Sequence, residues 1–163
     1  MPMQRPEKEI ADRSEIDAVI ARCLICHLAL AGDNTPYVIP VCFGYDGRYL
    51  YIHTAPAGKK IHMIRQNPRV AFAMEIDLRL LAAPSEPCKW TFAFESVAGQ
   101  GRIEELHTPE EKAAGLAHIV RHYARDRHMP MAKPGLGLRV WRIHIEEITG
   151  KRSHPLRSPK PLS

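Results

Sequence analysis

The chain has 163 residues, 45% of them hydrophobic and 25% charged, with a formal net charge of +5. That balance fits one globular domain with its own core and excludes both a disordered chain and a disulfide-stapled miniprotein. No apolar run approaches the roughly 18 to 20 residues of a membrane-spanning helix, and Met1 to Glu15 lacks the apolar centre of a signal peptide. A cytoplasmic protein with no membrane partner is expected, its four cysteines held as reduced thiols.

In chain order, Ser14 with Asp17 precedes Ile16, Val19, Ile20 and Cys23, apolar residues at helical spacing, so a helix capped at Ser14 is expected. Leu24 to Ala31 reads as a buried strand ended by the turn Gly32-Asp33-Asn34. Tyr37 to Phe43 is a strand with Pro40 inside, which points to an irregularity or an exposed backbone edge. Asp46-Gly47 is a hairpin signal leading into Tyr49 to His53, and the three strands together suggest an antiparallel meander. A short helix from Lys59 to Gln66 is stopped by Asn67-Pro68. Arg69 to Glu75 follows as a strand, Leu78 to Pro87 as a loop carrying Pro84 and Pro87, and Lys89 to Arg102 as a long strand bent at Gly99 and Gly101. Thr108-Pro109-Glu110-Glu111 combines an N-cap threonine, a first-turn proline and a capping-box glutamate, so a helix to about Arg125 is expected. After Lys133-Pro134-Gly135, Leu138 to Ile148 alternates as a half-buried strand. Six strands and a few helices make a mainly β fold, a small antiparallel barrel with helical decoration, over residues 10–150. Residues 151–163, with Lys151, Arg152, Arg157 and Lys160 among prolines and serines, read as a flexible basic tail. No basic helix, zinc-finger spacing or aromatic RNA-binding motif accompanies it, so nucleic acid is not expected as a partner.

Several side chains invite chemistry. Gly58, Lys59 and Lys60 open a helix, where unpaired N–H groups, a permissive backbone and two cations suit a phosphate; as an isolated pair, the lysines read more readily as solvated charge. His53 ends a strand beside that loop and could face a ligand or sit in the core. Cys23-Leu-Ile-Cys26-His27 has the spacing of covalent haem attachment, but with no export signal the cysteines read as structural, and no second pair completes a zinc site. Cys42 and Cys88 are expected to be buried apolar residues. His118 and His122, one helical turn apart with His128 beyond, could share a metal, yet a solvated helix face fits better and no metal is assigned.

Taken together, Tyr51-x-His53-Thr54-Ala55, then Gly58-Lys59-Lys60, Ile64 and Asn67-Pro68-Arg69-Val70, resemble the flavin-binding stretch of the pyridoxamine 5′-phosphate oxidase-like split-barrel superfamily. Leu28-Ala29-Leu30, Pro36 to Val41, Phe43-Gly44-Tyr45, Cys88 to Thr91, Glu95-Ser96-Val97, Gly99, Gly101 and Ile145 to Lys151 are similar to its nitroimidazole-resistance (Nim) branch. The resemblance implies a six-stranded antiparallel split barrel that binds FMN, in preference to FAD, at the interface of a homodimer. It implies that Gly58, Lys59 and Lys60 hold the FMN phosphate. His53, Thr54 and Ala55 would line the flavin, as would backbone from Pro40, Val41, Cys42 and Phe43. Trp90 and Ser96 would lie near the site, from the partner subunit. The implied activity is an FMN-dependent oxidoreductase passing electrons from a reduced donor to a small, nitroaromatic acceptor, with His53 orienting the acceptor or delivering a proton. The alternative is a non-catalytic flavin- or haem-binding split-barrel protein.

Overall fold

The computed structural model describes residues 5–32, 34–83, 85–124 and 137–153. The expectations for Pro84, Arg125, His128, Lys133 to Gly135 and the chain beyond Ser153 lie outside those residues. A two-residue strand β1 (Glu9–Ile10) leads to helix α1 (Arg13–Arg22). Its cap is Asp12, not Ser14: the Asp12 carboxylate accepts the Ser14 N–H at 2.9 Å. Asp12 has the extended backbone a cap requires, and Ser14 already lies inside the first turn. Ile16, Val19 and Ile20 bury the face that the spacing marked out.

Strands β2 (Cys26–Gly32) and β3 (Thr35–Val41) form a hairpin whose turn places Asn34 at φ 56°, a left-handed conformation that asparagine tolerates. Strand β3 pairs with β2 alone, so Pro36 and Pro40 need no N–H toward a second neighbour. After Cys42 and Phe43 come β4 (Gly44–Tyr45), the Asp46-Gly47 turn and β5 (Tyr49–Thr54). In that turn one Asp46 oxygen accepts the N–H groups of Arg48 and Tyr49. Helix α2 (Lys59–Gln66) ends where the sequence says it should, at Asn67-Pro68.

Strands β6 (Arg69–Leu81), β7 (Thr91–Leu106) and β8 (Arg139–Ser153) are the long members of the sheet, with α3 (Pro109–Ala124) between the last two. The expected loop from Leu78 is wrong in its first part. The strand continues past an irregularity between Ile76 and Arg79, pairing Leu80 with Phe92 and Leu81 with Thr91. Sequence periodicity missed it because both faces of this arm are largely exposed and its prolines suggest a break. The bend expected at Gly99 and Gly101 is present as a register shift between Gln100 and Gly101. Strand β8 also runs three residues beyond the expected boundary, so Lys151 to Ser153 belong to the barrel.

Hydrogen bonding orders the strands β3-β2-β6-β7-β8-β5-β4, with β1 on β8. Strands β3 and β4 lie at opposite ends of that order but are joined by Cys42 and Phe43 alone. The three Cα–Cα steps from Val41 to Gly44 reach at most about 11 Å, so the sheet must curl until its ends come together. The result is a mostly antiparallel split barrel, with eight strands among the described residues where six were expected. The meander expectation fails here. Strands β2 and β3 lie at one end of the sheet, while β5 pairs with β8 and β4 at the other.

Most buried apolar residues, including Leu28, Leu50, Ile52, Phe72, Val97 and Ile143, fill the barrel beneath α1 and α2. A second cluster of Tyr51, Leu106, Leu116, Ile119 and Val140 lies under α3. Helix α1 is also tied down by charge. Glu95, 4% exposed at its side chain, takes Arg22 Nη1 at 2.7 Å and Arg152 Nε at 2.5 Å, while Arg22 also pairs with Asp77 and Arg152 with Glu15.

Candidate functional site

The seam of the barrel gathers residues that are distant in sequence. Strand β4 pairs Gly44 with Tyr51; Cys42 stands two residues before Gly44 and His53 two residues after Tyr51. Both side chains are exposed. The expectation that Cys42 and Cys88 are buried is therefore incorrect: Cys42 stands at the seam and Cys88 in a short turn before β7, each open to solvent. Their neighbours Val41 and Phe43 are buried, Phe43 completely, so this stretch offers a ligand its backbone together with the exposed Pro40 and Cys42.

Helix α3 holds the seam in place. The Tyr123 hydroxyl accepts the Phe43 N–H at 3.0 Å and donates to the Leu24 carbonyl at 2.9 Å. Burial raises the Tyr123 phenol to about 12, keeping it a neutral donor. His122 Nε2 lies 2.7 Å from the Cys23 carbonyl, and its ring packs 4.3 Å from that of Phe43. His118 stacks on Tyr51 at 4.7 Å, nearly parallel. The solvated-face expectation for these two histidines is thus overturned, since both rings serve α3 packing. Local spacing carries no sign of it, because their partners lie far away in sequence.

The loop after β5 is fastened from beneath. Thr54 is buried, donating to the Ala55 carbonyl at 3.0 Å and accepting Trp141 Nε1 at 2.9 Å. Its hydroxyl shapes the loop and is already engaged on both sides. Arg139 Nε donates to the Pro56 carbonyl at 2.7 Å, and its Nη1 pairs with Glu105 at 2.5 Å. Tyr123, Trp141 and Arg139 are thus positioning residues that motif reasoning missed. An aromatic or arginine in a half-buried strand or helix gives no local signal of that role.

Gly58 then caps α2 at φ 128°, a conformation that side chains rarely adopt, with open space where a Cβ would stand. The first-turn N–H groups of Lys59 and Lys60 have no preceding helical carbonyls to bond. Lys59 Nζ sits 4.7 Å from the Tyr37 ring centroid, reaching to the strand with the free edge, and Lys60 is half-buried. A glycine-capped turn, two ammonium groups and a positive helix end form an oxyanion cradle. These groups fit a flavin phosphate, and His53 and Cys42 are exposed.

Trp90 and Ser96 are elsewhere. Lys59 is level with Tyr37, which the ladders align with Leu30 and Val70, whereas Ser96 pairs with Glu75, five residues further along β6. At about 3.3 Å per residue that is roughly 16 Å away. Trp90 is farther still, on the β6–β7 arm, half-exposed and donating to the Ala83 carbonyl at 2.8 Å. One copy of the chain does not bring them to the α2 cradle.

Cys23 and Cys26 of the C-x-x-C-H motif are fully buried under α1, and desolvation raises both thiols to about 12. Such thiols are inert core residues. His27 points outward, 3.6 Å from Glu75. Among the described residues, no helix is long and apolar enough to cross a membrane.

Comparison with known proteins gives the same outline. A solved structure of a candidate 5-nitroimidazole antibiotic resistance protein from Bacteroides thetaiotaomicron is 30% identical, covers 88% of this chain and 85% of its own, and superposes with a TM-score of 0.75. An FAD and haem binding protein from Mycobacterium smegmatis (17% identity, 94% and 77% covered, TM-score 0.79) and the flavocytochrome Anf3 from Azotobacter vinelandii (20%, 99% and 75%, TM-score 0.76) share the fold. An uncharacterised curated protein of Rhizobium meliloti is 30% identical over 97 residues, 60% of this chain; the match spans 56% of that relative's length. The pyridoxamine 5′-phosphate oxidase family model matches residues 12–152, and the chain belongs to that family.

Proposed function

We propose that this protein is an FMN-dependent oxidoreductase that passes electrons from a reduced donor to a small acceptor, and that nitroaromatic compounds are among the acceptors it takes. The observation that carries the reading is the Gly58-Lys59-Lys60 turn at the α2 N-terminus, joined by the Ala55–Pro56 loop to the end of β5, where His53 is exposed. When bound there, FMN supplies the two-electron chemistry. The chain does the rest. Lys60, Lys59 and the first-turn N–H groups hold the phosphate, and Arg139 and Trp141 keep the loop in shape. Backbone between Pro40 and Phe43, fixed by Tyr123, positions the ring. His53, exposed at the end of β5, orients an acceptor or hands it a proton from its imidazole. The nitroaromatic acceptor is supported by the likeness to the Bacteroides protein.

We further propose that the working unit is a homodimer. Trp90 and Ser96 reach a flavin only from a second copy, and Leu78, Leu80, Trp90 and Phe92 expose an apolar arm suited to such a contact. The test is the absorption spectrum and extracted cofactor of the purified protein, followed by anaerobic titration with reduced nicotinamides and a nitroimidazole. Yellow protein that is reduced and then reoxidised by the nitro compound supports the proposal. Protein that stays colourless and takes up no FMN refutes it, and a Soret band assigns it to haem.

A further inference from the structure

A second cationic site lies at the opposite end of α2. On the outer face of the sheet Arg69 is directly opposite Arg102, Arg102 opposite His144, and His144 opposite Tyr49, one lateral row across β6, β7, β8 and β5. Directly opposed residues of antiparallel strands point to the same face, and two like charges so placed repel each other. The carboxylates nearby balance only part of this charge. Glu104 is held by Arg142 through bonds of 2.8 and 2.5 Å, Glu105 by Arg139 at 2.5 Å, and Glu146, beside the register shift in β8, reaches Arg69 at 3.6 Å. Arg102 has no ion-pair partner among the described residues. It lines a cleft of about 370 Å³ with Tyr49, Pro68, Ile103, Glu104 and His144, a volume that suits a small ligand. Arg48 sits 5.0 Å from the Tyr49 ring centroid and adds positive potential to its wall, while Arg142, also at 5.0 Å, is neutralised by Glu104.

We infer that this row is an oxyanion-binding site, distinct from the α2 cradle, and that it takes a phosphate group through the Arg102 guanidinium fork, with His144 alongside and Arg69 opposite on β6. Arg102, without an ion-pair partner among the described residues and set opposite the Glu146-paired Arg69, is a group that a tetrahedral oxyanion neutralises by bidentate hydrogen bonding. The two sites are separate, since Lys59–Gln66 stands between them and eight helical residues span about 12 Å. The phosphate can be free or carried on a nucleotide; the shared recognition is of the phosphate.

The full-length protein is titrated with inorganic phosphate, AMP and adenosine while backbone amide NMR shifts are followed. Phosphate and AMP should move the amides of Tyr49, Arg102, Ile103 and His144, with adenosine silent. AMP at least fivefold tighter than phosphate identifies a nucleotide as the source, and equal affinity identifies the free ion. Arg102→Gln should weaken phosphate binding at that cleft at least fivefold, leave FMN uptake unchanged, and melt no lower than the parent in phosphate-free buffer because a repulsion is relieved. Arg69→Gln should weaken phosphate binding less than Arg102→Gln, because Arg69 is shared with Glu146. Phosphate shifts confined to residues of α2, a wild-type midpoint in Arg102→Gln, or a lowered melting temperature in both variants without phosphate would overturn the inference.

Discussion

Lys60 and Glu95 are charged side chains whose surroundings lead to opposite expectations. Lys60 is half-buried at a helix start and can be removed without exposing core, so Lys60→Ala should leave the thermal unfolding curve in place. A hydrogen bond to a charged group contributes about 1.5 to 3 kcal/mol, so FMN affinity should fall roughly tenfold or more in a fluorescence titration. Glu95 is structural. Burial pushes its carboxyl upward, but the hydrogen bonds and charges of Arg152 and Arg22 reverse that and hold it below its ordinary value. A carboxylate depressed in the folded state stabilises the fold fully above its unfolded value, near 4.5, and that stability is lost as pH falls through the folded value. Glu95→Ala should therefore cost about 2 kcal/mol at neutral pH, less than for a fully buried pair because both arginines are partly exposed. It should also flatten the acid limb of the stability curve below about pH 4.5 in urea melts at stepped pH.

Helix α3 is the element on which the seam depends. Its approach to the barrel requires the absence of a side chain at Gly44: a Cβ there would come within 2.4 Å of the His118 carbonyl carbon and the Ile119 nitrogen, both backbone. Backbone cannot rotate away, so Gly44→Ala must push α3 outward. The displacement stretches the Tyr123 bond to Phe43 and the His122 bond to Cys23. The expected cost is about 2 to 3 kcal/mol, measured by denaturant titration, with FMN affinity falling in the same variant because the ring side of the site has moved. Unchanged FMN binding would mean that α3 does not position the seam. In α3 itself the legible part was the start: Thr108 Oγ1 accepts the Glu111 N–H at 3.1 Å and Glu111 returns to the Thr108 N–H at 3.1 Å, the capping box the four-residue motif encodes.

Across the whole molecule, the curled sheet leaves the β6–β7 arm projecting with Leu80 opposed to Phe92 and both about half exposed. Apolar pairs on a projecting arm are covered in the working protein if the dimer proposal holds. Phe92→Glu should then give a monomer by sedimentation velocity and lose most FMN binding, although the arm lies far from the α2 cradle. A monomeric parent that still binds FMN would remove the need for a partner.

What was legible in the chain was local. Gly58 and Asn67-Pro68 bound α2 to the residue, and the Asp46-Gly47 turn and the bend near Gly101 stood where expected, because caps, turns and bulges are set by neighbours a few residues apart. The turn proposed to hold the phosphate could be picked out for the same reason, being one contiguous loop. The sheet order, the closing of β3 toward β4, and the packing roles of His118, His122, Tyr123 and Arg139 were decided by folding alone. Pairing and burial depend on which distant segments cover a face, and no spacing within Tyr37 to Phe43 tells that β3 ends at the far side of a closed barrel.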